Sequence, residues 1–336
     1  MSVPARGPLL AVERLQTHFQ TDRGLVRAVD GVDFTLEQGV TLGLVGESGC
    51  GKTILCRTLM GLLPPSAKIP DDAVVRFDGN DLRKLNEKAL REIRGKDVAM
   101  IFQDPMTSLN PVMTVGAQIS ESLRLHLGYS KRDAHARSVE LLRAVGIPAP
   151  QRRVDEYPHQ LSGGIRQRVA IAIALACEPK LLIADEPTTA LDVTVQSGIL
   201  DLLQREQGER NMSMILITHD LGVVAGRTDE IAVMYAGKMV ERASTRDVFH
   251  DTRMPYTRAL IDSIPVLDQP AHTRLSTIPG QPPNLIYPPA GCRFAPRCNR
   301  VQERCRSEEP ALSATVPSHH LFACWYPVKV DQEASA

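Results

Sequence analysis

Residues Gly46 to Thr53 read GESGCGKT, and this stretch constrains the fold more than any other. The spacing G-x-x-x-x-G-K-[ST] works only on a loop between a buried strand and a helix. There the glycines let backbone N–H groups turn inward around phosphate oxygens, and the helix N-terminus adds the positive end of its dipole. The flanks meet that demand: Val40 to Val45 is a short apolar run, and a helix is predicted to start near Lys52. On this pattern Gly46, Glu47, Ser48, Gly49, Cys50 and Gly51 form the phosphate cradle. Lys52 holds the β and γ phosphates, and Thr53 ligates Mg²⁺.

A second element supports the first. Leu181 to Pro187, LLIADEP, is an apolar strand that delivers two carboxylates at its polar end. Asp185 suits a Mg²⁺-binding role and Glu186 suits a base that polarises an attacking water. Further β-rich or apolar runs lie at Leu9 to Gln20, Arg27 to Leu36, Val98 to Phe102, Met214 to Ile217 and Ile231 to Met234. Helical spacing marks Val115 to Leu127, Lys131 to Val145, Val193 to Glu206 and Leu221 to Ala225. Strands that alternate with helices in this way predict an α/β core with a mainly parallel sheet, preceded by an N-terminal β part.

Composition narrows the partners. Lys plus Arg and Asp plus Glu both number 39, so the formal net charge is zero and no global field favours nucleic acid. The N-terminus MSVPARGPLL lacks the apolar core of a secretory signal, and the longest apolar run, Val169 to Cys177, is far shorter than a membrane span. A cytoplasmic setting is therefore expected. In a reducing compartment the seven cysteines are not a disulfide scaffold. Four of them, Cys292, Cys298, Cys305 and Cys324, fall near the C-terminus in a tract that holds 12 of the 24 prolines between Pro255 and Pro327. Proline limits regular structure to short pieces, and a loop-rich appendage with little core needs a staple. The spacing C-x5-C-x6-C-x18-C lacks the short pair of common zinc knuckles and matches no standard ferredoxin pattern. Zinc, an iron–sulfur cluster, free thiols and a disulfide all stay open on spacing alone. Arg293, Arg297, Arg300, Arg304 and Arg306 are near enough in sequence to offset thiolate charge, whereas His319 and His320, spare ligand candidates, read first as solvated loop residues.

Between the phosphate loop and the carboxylate strand lies LSGGIRQR, Leu161 to Arg168, directly ahead of a helical run. With this stretch the chain resembles the ATP-binding cassette (ABC) ATPases, whose LSGGQ-type signature separates them from other P-loop proteins. The resemblance implies a P-loop NTPase core with an inserted helical subdomain at about residues 104–165, and a head-to-tail ATPase dimer. In that dimer Ser162, Gly163 and Gly164 would contact the γ-phosphate of ATP held by the partner. Ile165 stands where the family usually has glutamine. By the same resemblance Gln103 corresponds to the Q-loop glutamine that senses Mg²⁺ and the attacking water, Ala190-Leu191-Asp192 to the D-loop, and His219 to the switch histidine. Phe19 is the candidate for stacking on adenine, core packing being the alternative for it. Cys50 replaces a common serine, with oxidation sensitivity expected if its thiol is exposed, and Cys56 and Cys177 read as buried packing residues.

Gln103 to Ile119, QDPMTSLNPVMTVGAQI, and Thr188 to Gln196, TTALDVTVQ, are similar to the dipeptide/oligopeptide permease ATPases and their nickel-importer relatives. The tail, with PYTRALIDSIP and IPGQPPNL ahead of the cysteines, resembles the extension of the D-type peptide-permease subunits. This divides the chain into a cassette at 1–254 and an extension at 255–336. It implies a [4Fe-4S] cluster on the four cysteines, with Zn²⁺ as the alternative. It also implies a second, homologous ATPase in a heterodimer, two transmembrane permease subunits and an extracytoplasmic peptide-binding protein, at the cytoplasmic face of the inner membrane. Nickel, an antimicrobial peptide or another solute are alternative cargoes. A non-transport ABC ATPase acting on DNA or ribosomes is the rival class, disfavoured by the single cassette, the absence of a heptad run and the zero net charge.

Overall fold

Strands β1 (Leu10–Thr21) and β2 (Gly24–Leu36) alternate buried and exposed residues, as a sheet with one covered face requires. They pair antiparallel from Leu10↔Leu36 to Thr21↔Gly24 around a tight turn, with register shifts near Arg14. The computed structural model describes residues 7–104, 108–189, 191–265, 277–314 and 319–328. Along the chain follow β3 (Thr41–Val45), β4 (Ala67–Lys68), β5 (Val74–Phe77), β6 (Asn80–Asp81), β7 (Val98–Ile101), β8 (Leu181–Asp185), β9 (Ser213–Thr218), β10 (Glu230–Tyr235), β11 (Lys238–Ser244), β12 (Ser313–Ala314) and β13 (Leu321–Phe322).

These elements gather into two compact units. The first comprises 1–36, 41–83 and 218–336, and the second 37–40 and 84–217. In the first unit β1 carries β2 on one side and β5, then β6, on the other, with β4 also on β1. A second group runs β12-β13-β11-β10-β3, antiparallel except for the parallel β10–β3 pair. Every residue of β3 is buried, which is why it reads as an unbroken apolar run. In the second unit β7, β8 and β9 are parallel neighbours, with helices Val115–Leu127, Lys131–Ala144, Gly163–Leu175 and Val193–Arg210 in the same unit. Several helix starts are capped locally: Thr114, Ser130 and Asp192 each accept from a backbone N–H three residues on.

Residues 255–336 fall within the first unit, together with the N-terminal sheet. Regular structure there is short, as the prolines predict: helix Pro255–Asp262, a single turn at Ala295–Arg297, helix Glu303–Ser307 and two-residue strands. The tract is better packed than composition suggests. Phe294 and Tyr256 are buried against Tyr235 of β10, with ring centroids 4.5–5.3 Å apart. Its apolar core is thus shared with the strands it covers.

His320 departs from its expected place in solvent. It is 3% exposed, and its Nε2 lies 2.7 Å from Oε1 of Glu241, a carboxylate buried to 0% exposure in β11. The same carboxylate accepts backbone N–H groups from Arg253 and Met254, so its burial is compensated on both oxygens. This pair, with the rungs Glu241↔Phe322 and Arg242↔Leu321, seats β13 on β11. His319 is exposed. Among the described residues, no helix is long and apolar enough to cross a membrane.

Candidate active site

The phosphate loop leaves β3 at Gly46 and enters helix Lys52–Leu59 through Gly51. Gly51 adopts φ 109°, and a Cβ there would lie 2.2 Å from the carbonyl oxygen of Ala28, so only glycine fits. No side chain caps this helix, and its first turn holds no acidic residue, which keeps its N-terminus suited to an anion. Lys52 is 5% exposed, and its Nζ donates to the carbonyl oxygens of Gly46 at 2.6 Å and Glu47 at 3.1 Å. Its ammonium is thus parked on the loop's own carbonyls. Thr53 is half-buried one residue further on, and Ser48 and Gly49 form the exposed tip of the loop.

Glu47 is fixed from the far end of the chain. Its N–H donates to the Tyr256 hydroxyl at 2.9 Å, and its carboxylate takes both arms of the Arg297 guanidinium, at 2.6 and 2.9 Å. That carboxylate raises the already high pKa of Arg297 and keeps it charged. Cys50 is 5% exposed, and burial pushes its thiol pKa up against the pull of Lys52. The exposure that would make it oxidation-prone is absent, and its N–H and C=O groups bond Glu47 and Gly237. Cys56 and Cys177 are buried.

In the second unit, β8 ends at Asp185, which is 2% exposed. Glu186 follows at φ 46°, a left-handed conformation that costs a non-glycine residue about 1–3 kcal/mol. Its N–H bonds the carbonyl of Ile217. The turn aims its carboxylate at two donors: Gln103 Nε2 at 2.9 Å and Thr189 Oγ1 at 3.0 Å. Gln103 and Glu186, 83 residues apart, are therefore brought together, and Thr189 joins them without having been singled out in the sequence. Its position in EPTT, three residues after the glutamate, was the available signal.

Ser162 is the N-cap residue of helix Gly163–Leu175, but its hydroxyl makes no capping bond. A Cβ on Gly164 would come within 2.9 Å of Val195, so the helix start lies close against the Val193–Arg210 helix, whose cap is Asp192. Ala190 lies outside the described residues, as do 105–107 of the Q-loop stretch. His219 is exposed just beyond β9. Phe19 is half-buried in β1, opposite Val26 and Ala67.

All four C-terminal cysteines are free and line one small cavity, with Phe294, Pro310 and Trp325 among the other walls. Burial pushes the Cys292 and Cys298 thiols up, and Cys324 to about 12. Backbone N–H groups oppose that cost: Phe294 and Ala295 on Cys292, Arg300 on Cys298 at 3.4 Å, and Tyr326 on Cys324. Among the described residues, no group of three or more His, Cys, Asp or Glu side chains is set to hold a metal ion. The arginines expected to balance thiolate charge are largely engaged elsewhere. Arg293 pairs with Asp30, Arg297 with Glu47, and Arg304 stacks 3.5 Å over Trp325 while bonding Glu308. Only Arg300 lines the cavity.

Comparison with known proteins places this geometry. The family profile described as ABC transporter matches residues 29–189, and the one described as Oligopeptide/dipeptide transporter, C-terminal region, matches 240–305. The chain is 50% identical over 318 residues to the dipeptide transport ATP-binding protein DppD of Bacillus subtilis, covering 94% of each. It is 50% identical to the oligopeptide transport ATP-binding protein OppD of Haemophilus influenzae, covering 95% of this chain and 97% of that one. It is 47% identical to DppD of Escherichia coli at the same coverage. Among solved structures, the ATP-binding cassette MJ0796, in a dimeric post-hydrolysis state bound to ADP and Pi, matches with a TM-score of 0.63 at 26% identity over 70% of this chain and 99% of that one. The chain cbiO1 of Clostridium perfringens, part of an ABC transporter complex, matches at 0.60 and 29% over 72% and 90%. The phosphate loop, the carboxylate strand, the signature helix and these likenesses agree: the chain is an ATPase of the ABC transporter family, with the cassette fold and the C-terminal region of its oligopeptide/dipeptide branch.

Proposed function

We propose that this chain hydrolyses ATP to drive uptake of di- or oligopeptides through separate permease subunits. The observation that carries the reading is the near-complete match to DppD and OppD, extension included. In this reading the chain works peripherally, at the cytoplasmic face of two permease subunits, and among the described residues no helix is long and apolar enough to cross a membrane. A homologous second ATPase completes the dimer, and an extracytoplasmic binding protein delivers the peptide.

In this account the phosphate loop, Gly46 to Thr53, takes the polyphosphate, and Lys52 leaves the Gly46 and Glu47 carbonyls for the β and γ oxygens. Phe19 stacks on the adenine. By the resemblance, Thr53, Asp185 and Gln103 each carry an oxygen donor of the kind Mg²⁺ prefers and would serve it directly or through water. Glu186, steadied by Gln103 and Thr189, orients a water for attack on the γ-phosphorus. The water oxygen bonds phosphorus as its proton passes towards Glu186 and on to solvent, the bond to the β–γ bridging oxygen breaks, and ADP and phosphate leave. His219 contacts the γ-phosphate, and Ser162, Gly163, Gly164 and Asp192 serve the nucleotide held by the partner ATPase.

The donor type of the cysteine pocket, four sulfurs, is one that a metal group takes. All four cysteines line one cavity, and backbone N–H groups at three of the sulfurs partly offset the burial that pushes their thiols up, although the side chains are not set around a common point. Cys292, Cys298, Cys305 and Cys324 would hold a [4Fe-4S] cluster, with Zn²⁺ as the alternative, and the group would supply cross-linking of the loops.

Reconstitution tests the import reading. With partner ATPase and permeases in lipid vesicles, phosphate release should rise several-fold on adding peptide-loaded binding protein, as productive closure is coupled to cargo delivery. An identical rate with empty and peptide-loaded binding protein would count against peptides as the cargo.

A further inference from the structure

Arg297 sits one residue before Cys298, yet its guanidinium binds the phosphate loop and not the sulfurs. Its five N–H donors meet five acceptor contacts. Nε bonds Pro279 O at 2.9 Å; Nη1 bonds Glu47 Oε2 at 2.6 Å and Tyr235 Oη at 3.3 Å; Nη2 bonds Glu47 Oε1 at 2.9 Å and Ile278 O at 3.4 Å. The side chain is 3% exposed and the pair is bidentate, so the small worth of surface ion pairs does not apply.

Glu47 is the one acid in GESGCGKT, and its charge has the wrong sign for a polyphosphate site. Its other polar groups are also engaged: its N–H by Tyr256, and its carbonyl by Lys52. We propose that Arg297 is a positioning residue for nucleotide binding, neutralising Glu47 and fixing the peptide on which Lys52 rests. The cysteine extension thereby reaches into the phosphate site without touching nucleotide. This rests on the proposed role of Lys52 and its loop in holding phosphates, and on neither peptide cargo nor metal in the pocket.

Titration of the full chain with fluorescent mant-ADP tests it. Arg297→Gln should weaken binding about tenfold, the scale of one lost charged hydrogen-bonded pair. Adding Glu47→Gln to that variant should recover affinity to within about threefold of wild type, since a neutral carboxamide needs no counter-charge. Arg297→Lys keeps the charge and loses the fork, so a loss of about threefold is expected. A merely structural arginine would lower the melting temperature, and removing the opposite charge would restore nothing. Unchanged affinity in both Arg297 variants, or a double variant as weak as Arg297→Gln, overturns the assignment. Lys52→Met in the same assay checks the phosphate-site reading separately, because wild-type ADP binding there would remove Lys52 from its role whatever Arg297 does.

Discussion

Glu186→Gln is expected to bind ATP with near wild-type affinity and to release phosphate about 10²- to 10⁴-fold more slowly, the range a positioned general base contributes. The carboxamide keeps the shape of the side chain and can still meet Gln103 and Thr189, which bond the Glu186 carboxylate at 2.9 and 3.0 Å in the wild type. What it loses is the charge that polarises water, so in the proposed ATPase dimer ATP should stay intact and survive gel filtration of the assembled transporter. The left-handed backbone at Glu186 is part of this account: a strained residue persists where its aim matters. Retained wild-type turnover would remove Glu186 from the chemistry.

The largest structural effect is expected at the cysteines. Protein purified without oxygen should carry about four iron and four acid-labile sulfide per chain, and Cys305→Ser should lose most of both. A structural metal contributes about 10 kcal/mol or more to folding in small zinc peptides. The loss here should be smaller, because Phe294 and Tyr256 pack on β10, and β13 is held to β11 by the His320–Glu241 pair. The variant should therefore keep its cassette folded while proteolysis opens residues near 292–324 first, a local unfolding. About one zinc and no iron would replace the cluster by a zinc site, and neither metal would leave the cysteines as packing thiols.

Much of this was legible in the sequence where chemistry forces a local pattern. A phosphate loop needs glycine at fixed positions between strand and helix, and β3, β8 and β9 are buried throughout, so their runs are unbroken. Helix Val115–Leu127 matches its sequence-based limits because Thr114 caps one end and Gly128 the other. The short strands β5 and β6 left no such trace, as four and two residues are too few for periodicity. Strand β11 was hidden by its charges, since the partners that make a buried Glu241 tolerable include His320, 79 residues away. The same holds at the site. Glu47 and Arg297 are 250 residues apart, and nothing in either local stretch announces their pairing. In one place composition points the other way: a proline-rich tract implies little core, whereas its aromatic residues share the core of the strands it covers.

The central claim, that ATP turnover on this chain powers peptide uptake, is tested most directly by accumulation of a labelled dipeptide in cells deleted for the gene. Wild-type chain should restore uptake, and Glu186→Gln, expressed to the same level, should leave it at the deletion background. Uptake that survives the deletion, or that Glu186→Gln restores in full, would contradict the account.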